Sequence, residues 1–157
     1  MDENLLARIQ RLEDIEAIKN LKSRYAGYCD DDYSPDDLVT LFTEDAIWDG
    51  GQMGRCEGRE AIRTFFSAAS GAVPFAIHHV TNPLIEVDGD RATGRWYLWQ
   101  PCVFSKGDQA LWMAGPYHDR YRRVDGNWLF EEVRVELRML SPYEAGFAKI
   151  LKAEVSL

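Results

Sequence analysis

Apolar side chains recur at Leu5, Ile9, Leu12, Ile15, Ile18, Leu21, Tyr25 and Tyr28, steps of three and four that match one face of an α-helix. The spacing predicts a long first helix laying a single stripe on a core. Asp30, Asp31 and Asp32 break the pattern. Ser34 before Pro35, with Asp36 and Asp37 following, reads as a cap, a first-turn proline and charges suited to a helix start. A short second helix carrying Leu38, Leu41 and Phe42 is expected there.

Ala46, Ile47 and Trp48 have strand character, and Gly50 to Gly58 forms a glycine-rich connection. Over 60–69, Ile62, Phe65 and Phe66 share a helical face. Beyond Pro74 the period changes from 3.6 to 2, giving four strand-like runs at 75–87, 92–104, 109–124 and 128–140. Asp88-Gly89-Asp90, Ser105 to Asp108 and Asp125-Gly126-Asn127 supply the turns of antiparallel neighbours. Helices first and strands afterwards predict an α+β fold, with helices covering one face of a curved antiparallel sheet. Residues 143–152 group Phe147, Ile150 and Leu151 and suggest a last helix.

At 157 residues, the chain is expected to form one domain over 1–157, burying roughly two-thirds of the surface of its unfolded form. Its net charge of -8 repels phosphate backbones and anionic membrane surfaces, so neither nucleic acid nor a membrane is an expected partner. No run approaches a membrane span, and the acidic start at Asp2 and Glu3 does not resemble a signal peptide; a cytoplasmic location is expected. Cys29, Cys56 and Cys102 are odd in number and dispersed, which suits a reducing compartment. With three histidines and no ligand-type spacing, the sequence supports no metal site.

Several local patterns, in this order, resemble the SnoaL-like branch of the nuclear transport factor 2-like superfamily. They are Arg24-Tyr25 with Asp30, Leu41 to Ala46, Gly58-Arg59-Glu60-Ala61-Ile62, His78 to Asn82, Val87 to Ala92, Tyr117 to Tyr121, and Asp125 to Trp128. The resemblance implies a cone-shaped α+β barrel, its curved sheet wrapped around the long N-terminal helix and enclosing a deep pocket. It also implies a homo-oligomer, a dimer or trimer. In lyase members, resembling scytalone dehydratase, bile-acid dehydratase or lindane dehydrochlorinase, an aspartate ending the first helix pairs with a strand histidine, and Asp30 and His78 hold those places. A carboxylate on one ring nitrogen fixes the tautomer and makes the other nitrogen a better proton acceptor, with no metal or cofactor required. Tyr25, five residues earlier, matches a tyrosine that bonds a substrate oxygen.

The bland reading makes Asp30 a solvated turn residue and His78 a satisfied core histidine. His78 and His79 alternate on a strand, and parity groups His78 with Val80, Asn82 and Leu84. Met113, Tyr117 and Asp119 share parity on their strand and are expected on the cavity wall, with His118 facing the other way. Trp48, Asp49 and Met53 are expected at the pocket rim, and Asn82 near the histidine. On the last strand, counting from Trp128, Val133 is expected among the substrate-binding residues and stands where dehydrochlorinase-like members place an arginine, which argues against a halide leaving group. Parity places Trp128 and Phe130 on one side of that strand and Val133 and Val135 on the other. The expected function is a cofactor-independent lyase or isomerase on a small hydrophobic, cyclic or aromatic molecule. The alternatives are a non-catalytic small-molecule binder, a polyketide cyclase, and the small subunit of a ring-hydroxylating dioxygenase.

Overall fold

The computed structural model describes residues 3–154. Helix α1 (Glu3–Asp30) buries Asp14, Ile18, Leu21, Lys22, Tyr25, Ala26 and Cys29, one or two residues per turn of a single face. The apolar stripe expected from Leu5 onward is buried only from the fourth turn. Leu5, Ile9 and Leu12 stay exposed, because 28 residues of helix extend about 42 Å and the first turns run past the packed core. Asp32 and Tyr33 turn the chain with left-handed backbones into α2 (Pro35–Thr40). Ser34 does not cap that helix by a side-chain bond to its backbone; its Oγ donates to the Asp37 carboxylate at 2.6 Å.

Strand β1 (Phe42–Asp49), a 3-10 turn at Gly51–Met53, β2 (Arg55–Glu57) and α3 (Arg59–Ala72) follow. The chain then makes β3 (Phe75–Ala76), β4 (His79–Asp88), β5 (Arg91–Phe104), β6 (Gln109–Val124), β7 (Asn127–Val135) and β8 (Met139–Pro142). These eight strands form one sheet in the order β2-β1-β7-β6-β5-β3, with β4 on β5 and β8 on β6. All ladders are antiparallel except β1 on β7, which is parallel. The long helix and the strongly curled sheet make the half-barrel expected of the α+β cone. The core is rich in rings: Phe42 and Phe130 meet at 5.3 Å between centroids, as do Tyr121 and Phe130.

Three departures from simple alternation shape the inner surface. A register shift beside Tyr121 leaves Glu131 as an extra residue in β7, so Trp128 and Phe130 share the buried face with Val133 and Val135 rather than opposing them. A second shift, between Thr81 and Leu84, passes through Asn82 (φ 55°) and Pro83; Leu84 turns outward, and Ile85 takes the inward position. The third lies between β7 and β8, where the single run read from sequence divides. There Glu136 N donates to Pro116 O and Arg138 N to Ala114 O, each at 2.9 Å. Gly115 lies directly beneath this crossing, and a Cβ on it would stand 2.0 Å from Glu136 O.

Residues 143–152 form turns rather than the expected helix. Gly146 adopts φ 71°, a conformation that interrupts a right-handed helix, and the chain returns so that Leu140 N bonds Leu151 O at 2.9 Å. Among the described residues, no helix is long and apolar enough to cross a membrane.

Candidate active site

The helices and the concave sheet enclose a cavity. Helix α1 contributes Tyr25 and Cys29 to its wall, β1 Trp48, the 3-10 turn Met53, α3 Phe65 and Phe66, and the strands Leu98, Gln100, Met113, Tyr117 and Val135. His78, just before β4, completes it beside Tyr33. The space open to the centre of a water-sized sphere is about 40 Å³, enough for a few waters and too little for a two-ring ligand unless the wall yields.

Asp30 ends α1 and reaches His78 across 48 residues of sequence. Its Oδ1 accepts from the His78 backbone N–H at 2.9 Å and lies 2.6 Å from Nδ1 of the same residue. The imidazole is almost wholly buried, at 6% exposure, while the carboxylate keeps 30% of its surface in water. A proton on Nδ1 satisfies this short contact and leaves Nε2 as the acceptor nitrogen.

The remaining polar groups of the wall are kept neutral by burial. Desolvation pushes the Tyr25 and Tyr117 phenols well above their ordinary range and raises Tyr33 likewise, so all three remain hydrogen-bond donors. The Tyr25 hydroxyl also accepts a hydrogen bond from Trp48 Nε1 at 2.9 Å, which fixes both side chains. The Cys29 thiol is raised chiefly by desolvation as well, which leaves it a poor nucleophile.

Behind the wall lies a buried ion pair. Lys22 Nζ is 2.8 Å from Asp119 Oδ2, with both side chains essentially without solvent. Desolvation lowers Lys22 and raises Asp119 from their ordinary values, and their mutual attraction opposes both shifts. Asp119 Oδ2 also accepts from Tyr121 at 2.9 Å, and the Tyr121 hydroxyl accepts from Trp96 Nε1 at 3.0 Å. A second buried carboxylate, Asp14, pairs with Arg123 at 2.8 Å and accepts from Trp128 Nε1 at 3.1 Å, far from the cavity.

A sequence profile described as "SnoaL-like domain" matches residues 10–134. The chain belongs to this family. An uncharacterised protein of Mycobacterium tuberculosis is 34% identical to this SnoaL-like chain over 95 residues, 59% of it; the match spans 65% of that relative's length. A candidate scytalone dehydratase of Novosphingobium aromaticivorans is 25% identical with a TM-score of 0.77, covering 92% of this chain and 97% of its own. The hexachlorocyclohexane dehydrochlorinase LinA-type3 of Novosphingobium barchaimii, 23% identical, shares the fold at a TM-score of 0.79 over 94% of this chain and 99% of its own.

In this SnoaL-like chain, the residues singled out from sequence divide into two groups. His78, Tyr25, Trp48, Met53, Met113 and Tyr117 line the cavity, and Asp30 grips His78. Asp49, Asn82, Asp119 and Val133 do not line it. Asp49 Oδ1 accepts from Gly51 N at 2.9 Å and shapes the turn. Asn82 is exposed at the β4 irregularity. Asp119 points inward as its parity requires, but is taken up by Lys22. Val133 is fully buried core, and Val135, two residues on, is the β7 residue at the cavity.

Sequence reasoning missed Gln100, Tyr33, Cys29 and Lys22. The signal for Lys22 was present: with Asp14 and Ile18 it falls at steps of four, on the very face of α1 that carries the apolar stripe. A charge at such a position is buried with a partner or not buried at all.

Proposed function

We propose that this protein is a cofactor-independent lyase or isomerase acting on a small cyclic or aromatic ketone or alcohol. His78 Nε2 takes a proton from carbon next to a carbonyl, and the C–H electron pair moves into the carbonyl to give an enolate. Tyr25 donates a hydrogen bond to that oxygen, while Asp30 holds the ring and balances the imidazolium charge. Dehydration follows when the imidazolium returns the proton to a departing hydroxyl as the enolate collapses; isomerisation follows when the proton returns to a different carbon.

The observation that carries this reading is the 2.6 Å contact between Asp30 and Nδ1 of a histidine that lines a largely apolar cavity whose other polar groups are uncharged. The candidate scytalone dehydratase among its structural neighbours supports the same class. No lysine or arginine is among the residues lining the cavity, which favours a neutral leaving group or none over a halide.

The test is hydrogen–deuterium exchange next to the carbonyl in a panel of cyclic and aryl ketones, followed by NMR. Wild-type protein is expected to accelerate exchange for at least one member, and Asp30→Asn to slow it by about 100-fold or more. An Asp30→Asn protein that exchanges at the wild-type rate sinks the assignment. Binding without exchange in the wild type would make the domain a small-molecule binder instead.

A further inference from the structure

We propose that Lys22 is a positioning residue for the site, a buried cation set behind Tyr117 that suits the cavity to a ligand oxygen bearing negative charge. The inference deepens the enolate reading above and rests on it for its purpose, although the binding property it asserts can be measured without turnover. The ligand class it names is a small, flat molecule whose oxygen becomes anionic: an enolate, a dienolate or a phenolate.

Lys22 lies three residues before Tyr25 on the same buried face of α1. Its ammonium stands 3.4 Å from the centroid of the Tyr117 ring and 4.9 Å from that of Tyr25, and both rings line the cavity. Lys22 makes its ion pair with Asp119 at 2.8 Å on one side and rests on the π face of Tyr117 on the other. A cation on the face of a phenol draws electron density from the ring and strengthens its O–H as a donor. Burial keeps both phenols protonated, so neither adds a competing anion to the cavity wall.

Stability is a poor explanation for this arrangement. Replacing a buried ion pair by apolar residues of similar volume is commonly neutral or stabilising, whereas the pair here sets its ammonium end against two rings of the wall. The counter-charge is anchored elsewhere: Asp119 does not line the cavity, and its Oδ2 is shared between Lys22 and the Tyr121 hydroxyl. The wall thus feels the cation through Tyr117 with no ammonium exposed to the ligand.

The experiment compares two probes of similar shape, 4-nitrophenol near its own pKa and nitrobenzene, by titration into wild-type protein, Lys22→Met/Asp119→Leu and Tyr117→Phe. Wild type is expected to bind the 4-nitrophenolate anion in preference to nitrobenzene. The double variant should lose about tenfold in affinity for the anion, the loss of roughly one hydrogen bond to a charged group, and keep its affinity for nitrobenzene. The near-isosteric neutral pair Lys22→Gln/Asp119→Asn should show the same split, which preserves the test if the first double variant does not fold, and Tyr117→Phe checks that the hydroxyl carries the effect. Equal losses for both probes, no loss, or no binding of the anion by wild type would each overturn the proposal. Asp30→Asn should retain the anion preference; a variant without exchange activity but with that preference intact separates this proposal from the reading of the Asp30 and His78 pair.

Discussion

Gly115→Ala tests how tightly the crossing between β7 and β8 is built. The new methyl would stand 2.0 Å from Glu136 O and 2.9 Å from Arg138 N, both backbone atoms, and side-chain rotation cannot relieve such contacts. Real Cβ atoms essentially never come closer than 3.0 Å, so the crossing must retreat by about 1 Å. That movement stretches the two 2.9 Å hydrogen bonds that hold it, Glu136 N to Pro116 O and Arg138 N to Ala114 O. Overpacking of this kind costs about 1–3 kcal/mol and each of the two weakened hydrogen bonds about 0.5–1.5, which together predict a loss of about 2–6 kcal/mol. Urea denaturation followed by tryptophan fluorescence should show a lower midpoint with an unchanged slope. Because Val135 is the last residue before the crossing and lines the cavity, probe affinity should fall as well. A variant within about 0.5 kcal/mol of wild type would refute the account of why glycine stands at this position.

The remaining expectations concern α1. Gly27→Ala places a methyl where nothing lies within 4 Å, in a helix interior, and should stabilise the protein by about 0.8–1 kcal/mol, read as a rise in Tm. Burial raises the Asp14 carboxyl, but hydrogen bonds from Arg123, Trp128 and Gln10 outweigh it and hold the group below its ordinary 3.8. A depressed carboxylate contributes stability that is complete above its unfolded value and disappears as pH falls through the folded one. Wild type should therefore lose stability below about pH 4, and Asp14→Asn should lose less across that window. At neutral pH the same variant should be weaker by about 1.5–3 kcal/mol in denaturant titrations, the range for hydrogen bonds to a charged group. An acid limb unchanged by the substitution would show that Asp14 does not carry this term.

Sequence periodicity located the elements well where the chain is regular, and lost its hold where the period slips. Parity gave the inward direction of Met113, Tyr117 and Asp119, since β6 pairs with β5 without a shift, but not which of them reach the cavity: Met113 and Tyr117 do, and Asp119 is taken up by Lys22. It divided Trp128 and Phe130 from Val133 and Val135 because one extra residue, Glu131, is invisible to a count of two. Counting down β7 also chose Val133 for the cavity, whereas the curl of the sheet brings Val135 to it. The meeting of Asp30 with His78 was legible only through resemblance, as nothing local links residues 48 apart. Lys22 and Asp119, separated by 97 positions, were each readable as misfits, a charge among apolar neighbours, but their pairing is a property of the closed half-barrel.

The single Asp30 oxygen that receives both the peptide N–H and the ring nitrogen of residue 78 welds the terminus of the long helix to the start of a strand. A ring fastened in this way has no posture of its own. Any fraying at that corner reorients the imidazole by the same motion that loosens the backbone, so in a weakened variant the ring loses its alignment to the cavity while most of the scaffold still stands.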